Sequence, residues 1–491
     1  MTEYASLGGG RPVGLRTAAA AALLVAECIG TGVLALPANA HVLGLPLALS
    51  CLGLTTVFMM IAGVMLHRAA TMVEGACELT NITGEDDDED DAARVIDYYG
   101  LAVSLFGEGS WVARFTSFAF HGGLFLMLGV FLVVMSQTLQ PLLSELGWDV
   151  CDWQAGLLCL LAMGLVNQIP SLTHLGRGPA LLSVVAIGGV CIICLTELPS
   201  DHSKPSTVLS TQDPLEISAA SSGVVFAMSI PPFVLSTRHA LATPTAIVPA
   251  LAIAVGGMCA LYSLLVALAG NDPPSFLFDA THHRGARAAA AALLLSHVAV
   301  SYSISSVMLC SALERELLRQ ISPQGTRLGG IGGLPPGQTH VQTAAETALP
   351  YGKDWPEDDA LVVNHSAAPA IPTTAADSRW GGPSLRWCLV TTLVMVVAWS
   401  IANGAPFFSD LVNFIGALTG APLSFLAPPL FYLRACQRAS VPVAIGEKAC
   451  AAVMVLIALI LTAAGTIGAV VGIVDGWQDQ GGPFACHSGE S

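Results

Sequence analysis

Charge is in short supply in this chain. Only 11% of its 491 residues are Asp, Glu, Lys or Arg, and just 19 are Lys or Arg. An ordinary soluble domain carries about 25% charged residues, so a water-facing surface of normal extent cannot be built from this composition. Paired carboxylates, a metal-spaced His/Glu set and a nucleophile motif are also missing. Their absence argues against an enzyme, and neither a cofactor nor nucleic acid is expected as a partner. The first apolar run has no small-residue cleavage site and is too long for a signal peptide, so a span that stays in place is expected. The thirteen cysteines are scattered, mostly in apolar spans. Cys191 and Cys194 form a CxxC inside a hydrophobic stretch and read as small core residues.

What is abundant is hydrophobicity, at 54% of residues, collected into runs of membrane-crossing length. Eleven spans are predicted. Span 1 runs from about Thr17 to Ala40, span 2 from Val42 to Leu66 and span 3 from Trp111 to Leu139. Span 4 runs from Trp153 to Gln168, and span 5 ends near Leu195. Span 6 covers Glu216 to Arg238, span 7 Ala246 to Ala269 and span 8 Ala286 to Ala312. Span 9 covers Leu385 to Ile401, span 10 Asp410 to Leu433 and span 11 Lys448 to Val474. Residues 1–16 form a cytosolic tail and residues 475–491 a non-cytosolic one. A short helix near Asp97 to Gly109 is expected to lie on the membrane surface. The acidic run Glu85 to Asp91 and the Gly-, Pro- and Thr-rich segment 313–382 read as solvated, disordered loops.

Charge tests this count. Lys and Arg collect on the cytosolic side of a membrane. With the N-terminus inside, alternating spans send all but Lys204, Arg284 and Arg287 of the 19 basic residues inside. A wrong span count would scramble that division. Cys151 and Cys486 are then the cysteines that lie clearly in outside segments, and a disulfide between them is expected.

Two spans carry interruptions. Gly30-Thr31-Gly32-Val33-Leu34-Ala35-Leu36-Pro37 breaks span 1, and Met228-Ser229-Ile230-Pro231-Pro232 breaks span 6. Glycine and proline are poor helix formers. A break at membrane depth frees backbone groups that lipid cannot satisfy, so they must face protein or a water-filled cavity. Close packing of glycine against a neighbouring helix is the other reading of span 1. The two breaks lie five spans apart, so the halves that contain them run in opposite directions. This predicts an all-α polytopic membrane protein with eleven transmembrane helices. Spans 1–5 and 6–10 form a 5+5 inverted repeat with helices 1 and 6 broken, and span 11 is an addition.

The octapeptide of span 1 resembles the first-helix motif of the amino acid/auxin permease family. Phe407-Phe408-Ser409-Asp410-Leu411-Val412-Asn413-Phe414-Ile415-Gly416-Ala417-Leu418-Thr419-Gly420-Ala421-Pro422-Leu423 resembles that family's tenth helix, and Gln168-Ile169-Pro170-Ser171-Leu172 is also similar. The resemblance implies a fold of the amino acid–polyamine–organocation superfamily. It also implies secondary active transport of amino acids, usually coupled to protons and sometimes to sodium. Span 6 departs from the pattern, because a double proline follows Phe226-Ala227 where small residues are expected.

Site residues follow from the breaks. Backbone groups at Gly30, Thr31, Gly32 and Val33 are expected at the substrate carboxylate, because a half-helix N-terminus offers unpaired N–H donors and partial positive charge. Phe226, Ala227, Met228 and Ser229 are expected on the opposite wall, holding the amino group through carbonyls. Ion coupling has five candidates: Glu27, His121, His297, Ser305 and Ser306. Ionisable groups at membrane depth are functional candidates by default. Glu27 lies one turn before the break, where burial disfavours the ionised form; a carboxyl locked into the bundle is the alternative. The histidines are either coupling groups or structural ones. The span 8 serines either form a sodium site or act as packing contacts. A non-transporting amino-acid sensor of the same fold is the alternative to a transporter. The plasma membrane and the vacuolar or lysosomal membrane are both open as locations.

Overall fold

The computed structural model describes residues 16–82, 97–168, 177–198, 211–270, 273–321, 385–405, 407–480, 484 and 486. The acidic run 85–91, most of the 168–172 motif and the loop from residue 322 to 382 lie outside them. The chain forms two units by its contacts, Met1–Val13 with Arg315–Gly382, and Gly14–Glu314 with Pro383–Ser491. The second contains everything that concerns the site.

All regular elements described are helical. Span 1 is two helices, α1 (Thr17–Cys28) and α2 (Leu36–Leu43), joined by a 3₁₀ turn at Thr31–Ala35 and bent by 58°. Then come α3 (Leu45–Ile82), α4 (Tyr98–Phe106), α5 (Trp111–Glu145), α6 (Asp152–Val166) and α7 (Arg177–Glu197). Span 6 is α8 (Pro214–Ala227) and α9 (Pro231–Ala240), followed by α10 (Ile247–Leu268), α11 (Arg284–Ile321) and α12 (Leu385–Gly404). Span 10 is α13 (Phe408–Ile415) and α14 (Ala427–Arg438), and span 11 is α15 (Ile445–Ile460) and α16 (Thr466–Gln480). Among the described residues, eight helices are long and apolar enough to cross a membrane, nine if the bent pair counts as one span. Asp152–Val166 and Leu182–Glu197 are apolar but shorter. The 15 residues of α6 rise roughly 22 Å against a hydrocarbon thickness of about 30 Å.

Local chemistry sets many of the ends. Asp97 caps α4 by accepting the Gly100 N–H, Ser110 caps α5 through the Ala113 N–H at 3.2 Å, and Asp213 caps α8 through the Leu215 N–H at 2.9 Å. Pro231 and Pro232 open α9, where their missing donors cost nothing. Span 10 is loosened into two wide π-helical turns at Gly416–Gly420 and Pro422–Leu426, as its glycines and prolines foretell. Span 11 has a similar turn at Leu461–Gly465, which hydropathy does not signal.

The short helix α4 falls where the sequence places one, and it buries Tyr98, Leu101, Ala102 and Leu105 against the bundle. Tyr98 donates its hydroxyl to the Leu423 carbonyl in span 10, and its ring packs 5.4 Å from that of Phe431.

At the centre of the bundle α8 packs against α2, α13, α16 and the wide turns at Gly416–Gly420 and Leu461–Gly465. Glycines permit this closeness. A Cβ at Gly416 would stand 2.1 Å from the Ser222 carbonyl oxygen, and one at Gly468 would stand 2.2 Å from that of Leu215.

Contacts at the two ends of the bundle sort the chain by side. At one end Arg238 of α9 is buried and forks onto Glu74 of α3, with Nη2 2.6 Å from Oε2 and Nε 3.0 Å from His67 Nδ1. Arg68 pairs with Glu447 at 3.0 Å, and Arg438 donates to the Ser104 carbonyl at 2.6 Å. At the other end Arg287 lies 3.7 Å from Glu145, and the His283 N–H donates to Glu197 at 3.1 Å. Cys151 and Cys486 form a disulfide with a Cα–Cα distance of 5.1 Å, on residues assigned outside with Arg287.

Candidate functional site

The span 1 break is a failure of the helical ladder. The Ile29 N–H still reaches the Val25 carbonyl at 2.7 Å, but the Gly30 N–H turns back onto the Cys28 carbonyl at 2.8 Å. Thr31 and Gly32 open the next turn, and the first residues of any helix have no partner one turn earlier. Thr31 is fully buried, and its hydroxyl has no hydrogen-bond partner.

The span 6 break faces it. A Cβ at Gly32 would come within 2.9 Å of the Phe226 ring and 3.2 Å of the Ala227 Cα. The two interrupted stretches are therefore in direct contact, and Gly32 serves both packing and access. Carbonyls freed by the break already have donors. Tyr262 of α10 gives its hydroxyl to the Ala227 carbonyl at 3.2 Å, and the Cys28 thiol gives its proton to that of Ser229 at 3.6 Å. The Ser229 hydroxyl lies 2.9 Å from that of Ser424 in span 10.

Between the breaks is a cavity of about 120 Å³. Span 1 contributes Glu27, Gly30, Thr31 and Gly32 to it, span 6 contributes Phe226, Ala227 and Ser229, and α11 contributes Ser301 and Ser305. The α5 face from Phe120 to Phe131 closes one side, and Thr419 and Gly420 of span 10 close another. Glu27 is the charged residue among those lining it, and among the described residues no hydrogen bond or ion pair reaches its carboxyl.

Other expected residues stand away from this wall. Val33 and Met228 are buried in the surrounding core. Ser306 is one residue past the cavity-lining Ser305, which turns it about 100° around the helix, and its hydroxyl lies 3.9 Å from the Cys310 sulfur. His121 Nδ1 lies 3.0 Å from the Ser117 carbonyl, and the ring packs edge-on to Phe120 at 5.4 Å. His297 is buried with Nδ1 2.6 Å from the Ser183 hydroxyl. Ser183 itself lines the cavity, so His297 sits one residue behind it. Ser183, Thr419 and the α5 phenylalanines are lining residues that sequence reasoning passed over. The Gly122-Gly123 pair in span 3 was the available signal, since a Cβ at Gly123 would stand 3.2 Å from the Thr419 hydroxyl.

Beyond the break, away from Thr17, three helices pack closely. Gly223 of α8 lies between two buried amides, and a Cβ there would stand 2.0 Å from Asn413 Oδ1 and 2.3 Å from Asn39 Nδ2. Three helices, α2, α8 and α13, meet at that point.

With a cavity enclosed by two facing breaks established, the chain can be set beside known proteins. The profile of the family described as "Transmembrane amino acid transporter protein" matches residues 15–471. The chain belongs to that family. The match takes in both breaks and every residue of the cavity wall, so this transporter is a multi-pass integral membrane protein. No curated protein matches it significantly. Among solved structures, a Na+-coupled sialic acid symporter in a substrate-bound outward-open state is similar at 12% identity and a TM-score of 0.42, with 93% of this chain and 90% of that one covered. A mutant of the manganese transporter of Eremococcus coleocola is similar at 12% identity and a TM-score of 0.44, with 95% and 88% covered.

Proposed function

We propose that the protein is a secondary active transporter that moves amino acids by alternating access, in symport with protons. In this reading all eleven segments cross the membrane as a 5+5 inverted repeat plus one, with the N-terminus cytosolic and the C-terminus outside or luminal. The plasma membrane and the vacuolar or lysosomal membrane both fit such a protein. The observation that carries the proposal is the cavity between the facing breaks. It offers the unpaired hydroxyl of Thr31 and the first N–H groups of the 3₁₀ turn to a carboxylate, and it offers Glu27 to a proton. In this reading the cavity opens on the Thr17 side of the break, and the close packing at Gly223 belongs to a state closed to the outside.

Sodium is a second reading of the coupling ion, favoured by one observation. Ser301 and Ser305 line the cavity together with Gly30 and could supply oxygen ligands. Uptake by purified protein in liposomes, with proton and sodium gradients imposed separately, tests both. An inward proton gradient is expected to drive accumulation of a labelled amino acid, and Glu27→Gln is expected to lose that accumulation while keeping exchange. Accumulation driven by sodium alone would replace the first reading with the second. Binding without uptake would mark a sensor.

A further inference from the structure

Away from the cavity, one contact between helices depends on a group that titrates near neutral pH. Arg238 stands near the end of α9, the half of span 6 that follows the break, and three side chains of α3 receive it. Its Nη2 lies 2.6 Å from Glu74 Oε2 and 3.2 Å from the Thr71 hydroxyl, and its Nε donates to His67 Nδ1 at 3.0 Å. His67, Thr71 and Glu74 are spaced i, i+4 and i+7, which stacks them on one face of a helix. Arg238 is buried, whereas His67 is half-buried and Glu74 is partly exposed. The guanidinium is enclosed while its acceptors keep contact with solvent.

We infer that this dock is a switch set by cytosolic pH, in which a proton taken up by His67 releases α9 from α3 and slows the carrier. Its cytosolic side and its effect on transport rest on the reading above; the dock itself does not.

An imidazole nitrogen that accepts a hydrogen bond carries no proton. Protonating His67 Nδ1 turns an acceptor into a donor and sets a second cation against Arg238. Arginine cannot give up its own proton in return, and a buried donor left without an acceptor is costly. The docked state therefore holds the ring neutral, and the released state binds more protons. Docking weakens as pH falls and not as it rises. Free histidine titrates near pH 6.5, so the ratio of released to docked protein grows about tenfold between about pH 7.5 and about pH 5.5.

The helix carries this change to the site. α9 has ten residues, roughly 15 Å of lever, with the break at one end and Arg238 near the other. Pro232 and Phe233, in its first turn, line the cavity. A tilt at Arg238 displaces that wall. A proton symporter brings protons to the cytosolic side with its substrate, so the switch slows it when that side acidifies.

The charges facing His67 are Arg238 from α9 and Arg68 and Glu74 from its own helix. Arg68 is paired with Glu447 of α15, which also accepts from Tyr432 of α14. On α14, Arg434 donates to the Gln437 amide and Arg438 to the Ser104 carbonyl. The next residue of α9 is His239, which is exposed. On α10 are Cys259 and Tyr262, the latter bonded to Ala227, and α4 brings Tyr98 and Tyr99. His41 of α2 and Glu216 of α8 belong to the other end of the bundle.

The test is alkylation of Thr237→Cys in the purified full-length protein at about pH 5.5 and about pH 7.5, with His67 and with His67→Asn. Thr237 is buried beside Arg238, so a thiol there reacts from the released state. Asparagine places an amide oxygen where Nδ1 stood and does not titrate; His67→Gln repeats the measurement with a longer amide. Thiol reactivity and the titration of Glu27 are common to both proteins and cancel in the ratio of rates. That ratio, His67 over His67→Asn, is expected to be near one at the higher pH and about tenfold at the lower. His67→Lys, a fixed cation, should label fast at both, and His239→Asn should keep the pH response. Exchange of labelled amino acid across liposomes, with pH equal on both sides, should match that of His67→Asn at the higher pH and fall below it at the lower. A labelling ratio that is independent of pH, or that falls on acidification, would overturn the switch. A responsive ratio with equal exchange rates would overturn its effect on transport. Absence of exchange in every variant at the higher pH would overturn the transport reading and leave the labelling result standing.

Discussion

Gly32 is where a single atom decides most. Its missing side chain lets the Phe226 ring and the Ala227 backbone close over the span 1 break, with ring carbons 2.9 and 3.0 Å from where a Cβ would be. A ring edge can yield a few tenths of an ångström, whereas the Ala227 backbone cannot easily do so. Gly32→Ala is therefore expected to transport at a reduced rate. Gly32→Val, with two more carbons and a restricted φ, should abolish uptake while still reaching the membrane in normal amount. Uptake normalised to the membrane-inserted protein checks both, and normal transport by Gly32→Val would show that substrate does not depend on this stretch. Gly30, two residues earlier, has nothing within 4 Å of its would-be Cβ. The sequence treats the two glycines alike; only their neighbours in space tell them apart. The same holds for the serines of span 8. Ser305 and Ser306 differ by one position, but one lines the cavity and the other does not, because a helix turns about 100° per residue.

At the scale of elements, the broken helices were legible and their surroundings were not. Glycine and proline inside apolar runs announce a break without any partner, since they act on their own backbone. The wide turn at Leu461–Gly465 has only Gly465 as a mark, and single glycines recur along span 11 without one. It lies where Gly465 meets the Ser222 hydroxyl of α8, 2.4 Å from the would-be Cβ, and a contact between distant helices leaves little trace in either one. Two stability predictions belong here. Gly416→Ala places a Cβ 2.1 Å from a backbone oxygen, which forces α13 and α8 apart and should cost about 1–3 kcal/mol. It should appear as a lower melting midpoint of the purified protein. The tie between α9 and α3 is asymmetric, because the Arg238 side chain is 7% exposed and that of Glu74 is 43% exposed. Removing the acid strands a buried cation, whereas removing the base leaves an anion that water can reach. Glu74→Ala is thus expected to lower stability by about 2–3 kcal/mol, more than Arg238→Met does. The reverse order in thermal melts would mean that Arg238 finds another partner.

At the scale of the molecule, charge division and cysteine pairing agree on two sides. The ends assigned to the inside touch one another through Arg68, Arg238 and Arg438, and those assigned to the outside meet through Arg287, Glu197 and the Cys151–Cys486 bond. Thiol counting on the denatured, unreduced protein should find two fewer than the thirteen cysteines of the sequence, and thirteen free thiols would exclude the pairing. Impermeant labelling of His202→Cys and Gln480→Cys in intact cells or vesicles should mark the non-cytosolic face. Labelling of either from the cytosol would overturn the span count. The sequence bears on this level through charge, since the side expected for each loop follows from counting Lys and Arg and not from how helices pack. What the sequence does not show of α4 is its packing, since the hydroxyl bond from Tyr98 goes to the Leu423 carbonyl in span 10, far along the chain.

The enclosure of α8 also has a consequence for biosynthesis. Its partners at the wide turn of span 11 are made about 240 residues after its own last residue, or roughly 10–50 s later at a synthesis rate of ~5–20 residues per second. Through that interval, the interrupted backbone at Met228–Ile230 and the glycine-lined face of α8 must wait without the helices that later cover them. The cavity between the breaks is therefore a late product of assembly. Chains that stop before span 10 would contain both breaks and still have no closed site, and they would be early targets for membrane quality control.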